Sequence, residues 1–124
     1  MDINTINIVT LAYLGDAIYE VYIREKLINK GLAKVEELTK AATQYVSAKG
    51  QAAILKELTE KNYFTEEELD IIKRGRNYKR SSHPKHTDVV TYKHSTGFEA
   101  LIGYLYLSKN LERLTEILNQ IEVN

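Results

Sequence analysis

Over residues 5–29, Ile8, Leu11, Leu14, Ile18, Val21 and Tyr22 recur at three- and four-residue spacing. That period predicts a long first helix with those six side chains facing a core, ended by Lys30-Gly31. A shorter helix is expected over 35–45. A third is expected over about 47–61, with Ala48, Ala52, Leu55 and Leu58 inward. Thr65 followed three residues later by Glu68 matches a capping box and opens a fourth helix, which carries Leu69 and Ile72 and loses its period near Asn77. Over 79–94 no helical period survives. The piece TDVVTY is expected to be briefly extended inside a long loop, and loops of that length tend to carry function. A last helix is expected from Ser95 or Thr96 to about Ile121. Its apolar set is Phe98, Leu101, Ile102, Leu105, Leu111, Leu114, Ile117 and Leu118, with a break near Ser108-Lys109-Asn110. With one proline, six glycines and almost no alternating pattern, the fold class is all-α: one domain over residues 1–124, built from five or six helices.

Composition adds exclusions. At 124 residues the chain suits a single core. Without cysteine there is no disulfide framework and no thiolate metal site. No signal-peptide pattern opens the chain, and its apolar runs are too short to span a bilayer, so a cytoplasmic protein without membrane partners is expected. The formal net charge of zero hides an asymmetry. Residues 73–94 hold seven of the 17 basic side chains against the single acid Asp88, a net +6 balanced by −6 over the rest. All three histidines, His83, His86 and His94, fall in that segment. A concentrated basic stretch suits phosphate binding, and a solvated loop accounts for it equally well.

Two helices carry an oddity. In LAYLGDAIYEVYI, Gly15 and Asp16 interrupt an apolar helix, where glycine costs about 1 kcal/mol relative to alanine. In STGFEALIGYLYL, Glu99 stands among apolar residues with Gly103 one turn on. Glycines inside helices let two backbones approach, so the two helices are expected to cross near them and to bring Asp16 toward Glu99. Two carboxylates crowded together repel unless a cation sits between them. A hard divalent ion such as magnesium suits such a pair, since it takes one or two carboxylates and keeps waters for phosphate oxygens. Metal-assisted phosphodiester hydrolysis is the chemistry this points to. A plainer reading stands beside it: Thr96-x-x-Glu99 is itself a capping box, in which Glu99 would only cap a helix.

LAYLGDAIYEVYIREKL resembles the signature helix of the ribonuclease III family, and TGFEALIGYLYL resembles its second signature. The segments YVSAKGQA, KRGRN, PKHTDVVTY and HSTGFEALIGYL, in this order, are similar to the short bacterial branch called Mini-ribonuclease III. The resemblance implies a ribonuclease III-like helical catalytic domain acting as a homodimer. It implies magnesium-dependent cleavage of double-stranded RNA, manganese being a substitute ion, with short 3′ overhangs. The implied setting is maturation of precursor 23S ribosomal RNA, with a ribosomal protein as a further expected partner. Asp16 and Glu99 match the family's metal-binding, catalytic acids. Longer relatives carry additional acids where this chain has Val9, Ala12 and Thr96, so the site is reduced to two carboxylates.

The branch it resembles lacks a separate RNA-binding domain, so such a chain is expected to hold A-form RNA itself, through shape, phosphates and 2′-hydroxyls. The expected contacts are Lys73, Arg74, Arg76 and Asn77 at the end of the fourth helix. Lys79, Lys85, Lys93 and His94 would act from the loop, and Lys49 and Gln51, with Ser47, from the turn before the third helix. A zinc site on His83, His86 and His94 is disfavoured, because closed zinc sites usually include cysteine. Tyr13, Tyr19, Tyr22, Tyr104 and Tyr106 suit either a subunit interface or a half-buried core. Two other classes remain open: a non-catalytic module for duplex RNA or ribosome assembly, and a purely structural helical dimer.

Overall fold

The computed structural model describes residues 2–79 and 88–123. A 3₁₀ turn (Ile3–Thr5) leads into α1 (Ile8–Asn29), α2 (Val35–Val46), α3 (Ala48–Glu60), α4 (Glu66–Arg76), α5 (Val89–Leu107) and α6 (Leu111–Asn119). Among the described residues there are no strands, and no helix is long and apolar enough to cross a membrane.

α1 begins at Ile8, because the Asn7 side chain accepts the Val9 N–H at 2.9 Å and caps the helix there. Its buried stripe is Ile8, Leu11, Ala12, Gly15, Tyr19, Ile23 and Leu27. Val21, expected inside, is 64% exposed, and Tyr19 is buried in its stead. Two residues on from Tyr19 is roughly 200° around a helix, so the two cannot share a face. Leu69 and Leu111, which fit the apolar period of their helices, are exposed. Tyr19 packs edge-on against Phe98 of α5 with ring centroids 5.2 Å apart. That pair replaces any role for Tyr19 at a surface.

The largest departure is the start of α5. Within TDVVTY, residues 89–92 are helical and not extended. Asp88 accepts both the Thr91 N–H and the Thr91 hydroxyl at 2.8 Å, and the helix runs from Val89. Those bonds also hold the exposed Asp88 carboxyl below its ordinary range. Ser95 and Thr96 are therefore buried inside a helix, and their hydroxyls donate back to the Tyr92 carbonyl at 2.7 and 3.0 Å. The break at Ser108–Asn110 is where the chain turns, with Lys109 at φ 66° and Asn110 capping α6.

α5 is the central element, and glycines decide how its neighbours meet it. A Cβ on Gly15 would overlap the Glu99 carbonyl oxygen, and one on Gly103 would overlap that of Leu11. α1 and α5 thus cross backbone to backbone, as the glycine spacing predicts. α4 meets α5 in the same way. A Cβ on Gly75 would lie 2.9 Å from the Gly97 Cα, and one on Gly97 would lie 2.6 Å from the Ile72 carbonyl oxygen. α6 closes the far end. Arg113 grips both oxygens of Glu68 at 2.7 and 2.8 Å and the Tyr63 carbonyl at 3.0 Å. Burial alone would raise the Glu68 carboxyl. The Arg113 hydrogen bond, the Thr65 capping bonds and the Arg113 charge outweigh it and hold the group below the ordinary range.

Candidate active site and basic cleft

At the α1–α5 crossing, Asp16 follows Gly15 directly, and the backbone facing Gly15 is that of Glu99. The two acids therefore flank one point of close approach. Asp16 is exposed and Glu99 half-buried. Because α5 begins at Val89, Glu99 stands well inside the helix, and the Thr96 hydroxyl is bound to Tyr92. The capping-box reading of Glu99 fails on both counts. Of the other positions beside these two acids, Ala12 and Thr96 are buried and Val9 is half-buried. Glu20, one turn past Asp16, pairs with Arg24 at 3.0 Å on the surface. Among the described residues no group of three or more histidine or acidic side chains converges to hold a metal. The crossing offers two carboxylates.

Gln51 needs correction. It was expected at an RNA-facing edge, yet it is 1% exposed. Ser47 ends α2 and caps α3, accepting the Gly50 N–H at 3.1 Å. Gly50 lets the start of α3 press on the end of α2, since a Cβ there would overlap the Gln44 carbonyl. That tight corner turns Gln51 inward. Its Nε2 donates to the Val46 carbonyl at 3.0 Å and to Oε2 of Glu99 at 3.2 Å. Nothing in the local sequence distinguishes this from a surface glutamine, because the contact spans 48 residues.

The α4–α5 crossing gathers the opposite charge. Lys73, Arg74 and Arg76 occupy the last turn of α4, where cations also suit the helix dipole. Lys73 and Arg76, with Lys56 of α3 and His94 of α5, line a cleft of ≈ 520 Å³ whose floor includes Leu55 and Ile72, with Glu60 also lining it. Lys56 was not singled out in the sequence, where it reads as one more surface lysine. Burial, and then the Arg76 charge, hold His94 below the ordinary imidazole range. Arg74 stands apart: its charge acts on Tyr104, whose hydroxyl donates to Glu67 at 3.0 Å. Asn77 caps the C-terminus of α4. Lys49, Lys79 and Lys93 are exposed, Lys49 and Lys93 on helices rather than in a loop. Lys85, His83 and His86 lie outside the described residues.

Comparison with known proteins gives the geometry its context. Residues 9–110 match the ribonuclease III domain family. The chain is 49% identical over 119 residues to a Mini-ribonuclease 3 from Streptococcus pneumoniae, covering 96% of this chain and 93% of that one. It is 53% identical over 119 residues to a Mini-ribonuclease 3 from Brevibacillus brevis, covering 96% and 87%. A crystal structure of a Fusobacterium nucleatum protein superposes with a TM-score of 0.83 at 37% identity, over 95% of this chain and 93% of that one. The likeness runs the length of the chain and favours a cutting enzyme over a binding module or a structural dimer. The chain belongs to the ribonuclease III family, in its Mini-ribonuclease III branch, and is an endoribonuclease.

Proposed function

We propose that this endoribonuclease hydrolyses phosphodiester bonds in double-stranded RNA, using magnesium held by Asp16 and Glu99. The observation that carries this reading is Glu99 itself: a mid-helix acid whose backbone carbonyl faces Gly15, next to Asp16, at a glycine crossing. A two-carboxylate donor set with one exposed member fits a hard ion that keeps several waters, and it does not fit a closed protein cage. When bound, magnesium supplies a Lewis acid that activates water and neutralises phosphate charge. Asp16 and Glu99 hold it, and manganese is the expected substitute. Lys56, Lys73, Arg76 and His94 suit phosphates of the A-form backbone.

A homodimer, working in the cytoplasm, completes the reading. Tyr13, 83% exposed, Val21 and Ile28 share the outer side of α1, and Asp16 lies one turn from Tyr13. Exposed apolar side chains beside the acid suit a second copy and two cuts across one duplex, leaving short 3′ overhangs. Precursor 23S ribosomal RNA is the proposed target, with a ribosomal protein as auxiliary partner.

The test is incubation of a defined RNA duplex with purified protein, with and without magnesium, beside Asp16→Asn and Glu99→Gln. The parent is expected to give staggered products only with the metal, and neither variant is expected to cut. Cleavage by both variants at the parent's rate would remove the site assignment.

A further inference from the structure

We infer that Gln51 is a positioning residue of the active site, its side-chain amide holding Oε2 of Glu99 and so fixing that carboxylate toward the cation. The inference rests on Asp16 and Glu99 as the ligand pair. It starts from a position that helix periodicity assigns to the core. Gln51, Leu55 and Leu58 are the buried residues of α3, one turn apart. An apolar side chain at 51 would extend that stripe. The glutamine is buried among polar partners it only partly satisfies. Both hydrogens of Nε2 have acceptors, while the buried Oε1 has no hydrogen-bond partner. A buried polar group left in that state is costly, and departures of this kind concentrate at functional sites.

The amide's orientation follows from chemistry. Nε2 faces two acceptors, the Val46 carbonyl and the Glu99 carboxylate. Rotating the amide by half a turn would set Oε1 against two oxygens. The Val46 bond anchors the amide to the α2–α3 corner, which Ser47 and Gly50 make rigid, so the Glu99 oxygen is tied to a fixed frame. The choice of donor also matters. Glu68 is held by a guanidinium, which cancels its charge. An amide orients a carboxylate without itself bringing a positive charge, the usual task of an outer partner behind a metal ligand.

Gln51→Leu and Gln51→Met keep the volume and suit the apolar stripe, so both are expected to melt at or above the parent temperature. Manganese binding, read from the free-ion signal in electron paramagnetic resonance, is expected to weaken by about ten- to a hundredfold in both. The magnesium concentration for half-maximal cleavage should rise in step, with KM for duplex RNA unchanged. Leu58→Ala is the control for general destabilisation, expected to lower the melting temperature and leave manganese affinity alone. If the parent binds manganese, Glu99→Gln loses it, and both Gln51 variants bind like the parent, the role of Gln51 is overturned while the ligand pair stands. If the parent and Glu99→Gln bind manganese equally, the ligand pair fails and this inference with it.

Discussion

The two crossings on α5 use one device for opposite ends. At Gly15 and Gly103, each glycine faces a carbonyl of the other helix. At the second crossing Gly75 faces the Gly97 Cα, and Gly97 faces the Ile72 carbonyl. In both places the lost side chain brings two backbones together, and the residues beside the glycines then share a small volume. At the first crossing those neighbours are Asp16 and Glu99; at the second they are Arg76 and, near Gly97, His94. Close approach concentrates whatever charge the flanking residues carry. A chain of zero net charge can thereby hold an acidic and a basic centre on one helix. That electrostatic division comes from placement, and bulk composition does not reveal it.

The largest expected effect separates the two centres by function. Asp16→Asn or Glu99→Gln should each lower cleavage by more than about a hundredfold, exceeding the usual cost of losing an outer partner. Duplex affinity, measured in calcium by filter binding, should stay near the parent's. Next comes the packing itself. Gly15→Ala meets a backbone carbonyl head-on and should cost about 3 kcal/mol in urea unfolding, the upper end for overpacking. Gly97→Ala, with more room, should cost about 1–2 kcal/mol on the same assay. Equal costs would mean that the two crossings are not packed differently.

Neutralising Lys73 and Arg76 together should flatten the salt dependence of duplex binding by about 2 in logarithmic slope and leave the rate at saturating RNA little changed. The smallest effect concerns His94. Its folded pKa lies below the ordinary value, so the folded state favours the neutral ring. The stability this contributes is present above about pH 6.5 and is lost as pH falls through the lowered value. Arg76→Gln should raise the His94 titration midpoint in proton NMR and reduce that loss. An unchanged midpoint would detach His94 from the basic centre.

Local signals were legible in the sequence where neighbours decide the structure. The capping box at Thr65 and Glu68 and the turn at Ser108–Asn110 stand where the chain predicts them. The α1–α5 crossing was legible because glycine in an apolar helix has few other uses. The start of α5 was not, because Thr96-x-x-Glu99 is a valid cap in isolation and loses to Asp88 with Thr91 upstream. Val21 and Tyr19 show a related failure. Both fit an apolar face by spacing, and only the glycine contact at position 15 fixes which face turns inward. Gln51 was out of reach for a different reason. Its partner is 48 residues away, and its burial depends on a corner set by Gly50 against a carbonyl.

Gly97 and Gly103 lie on one uninterrupted rod, and α5 works as a ruler between the two charged centres. A rise of about 1.5 Å per residue sets them roughly 9 Å apart along the axis. Inserting one residue between them would lengthen that interval by only about 1.5 Å but twist it by about 100°. One neighbouring helix would then meet a side chain where it needs a glycine. Substitutions here can be repaired one at a time. A change of length cannot, and the six-residue interval from Gly97 to Gly103 should tolerate neither insertion nor deletion.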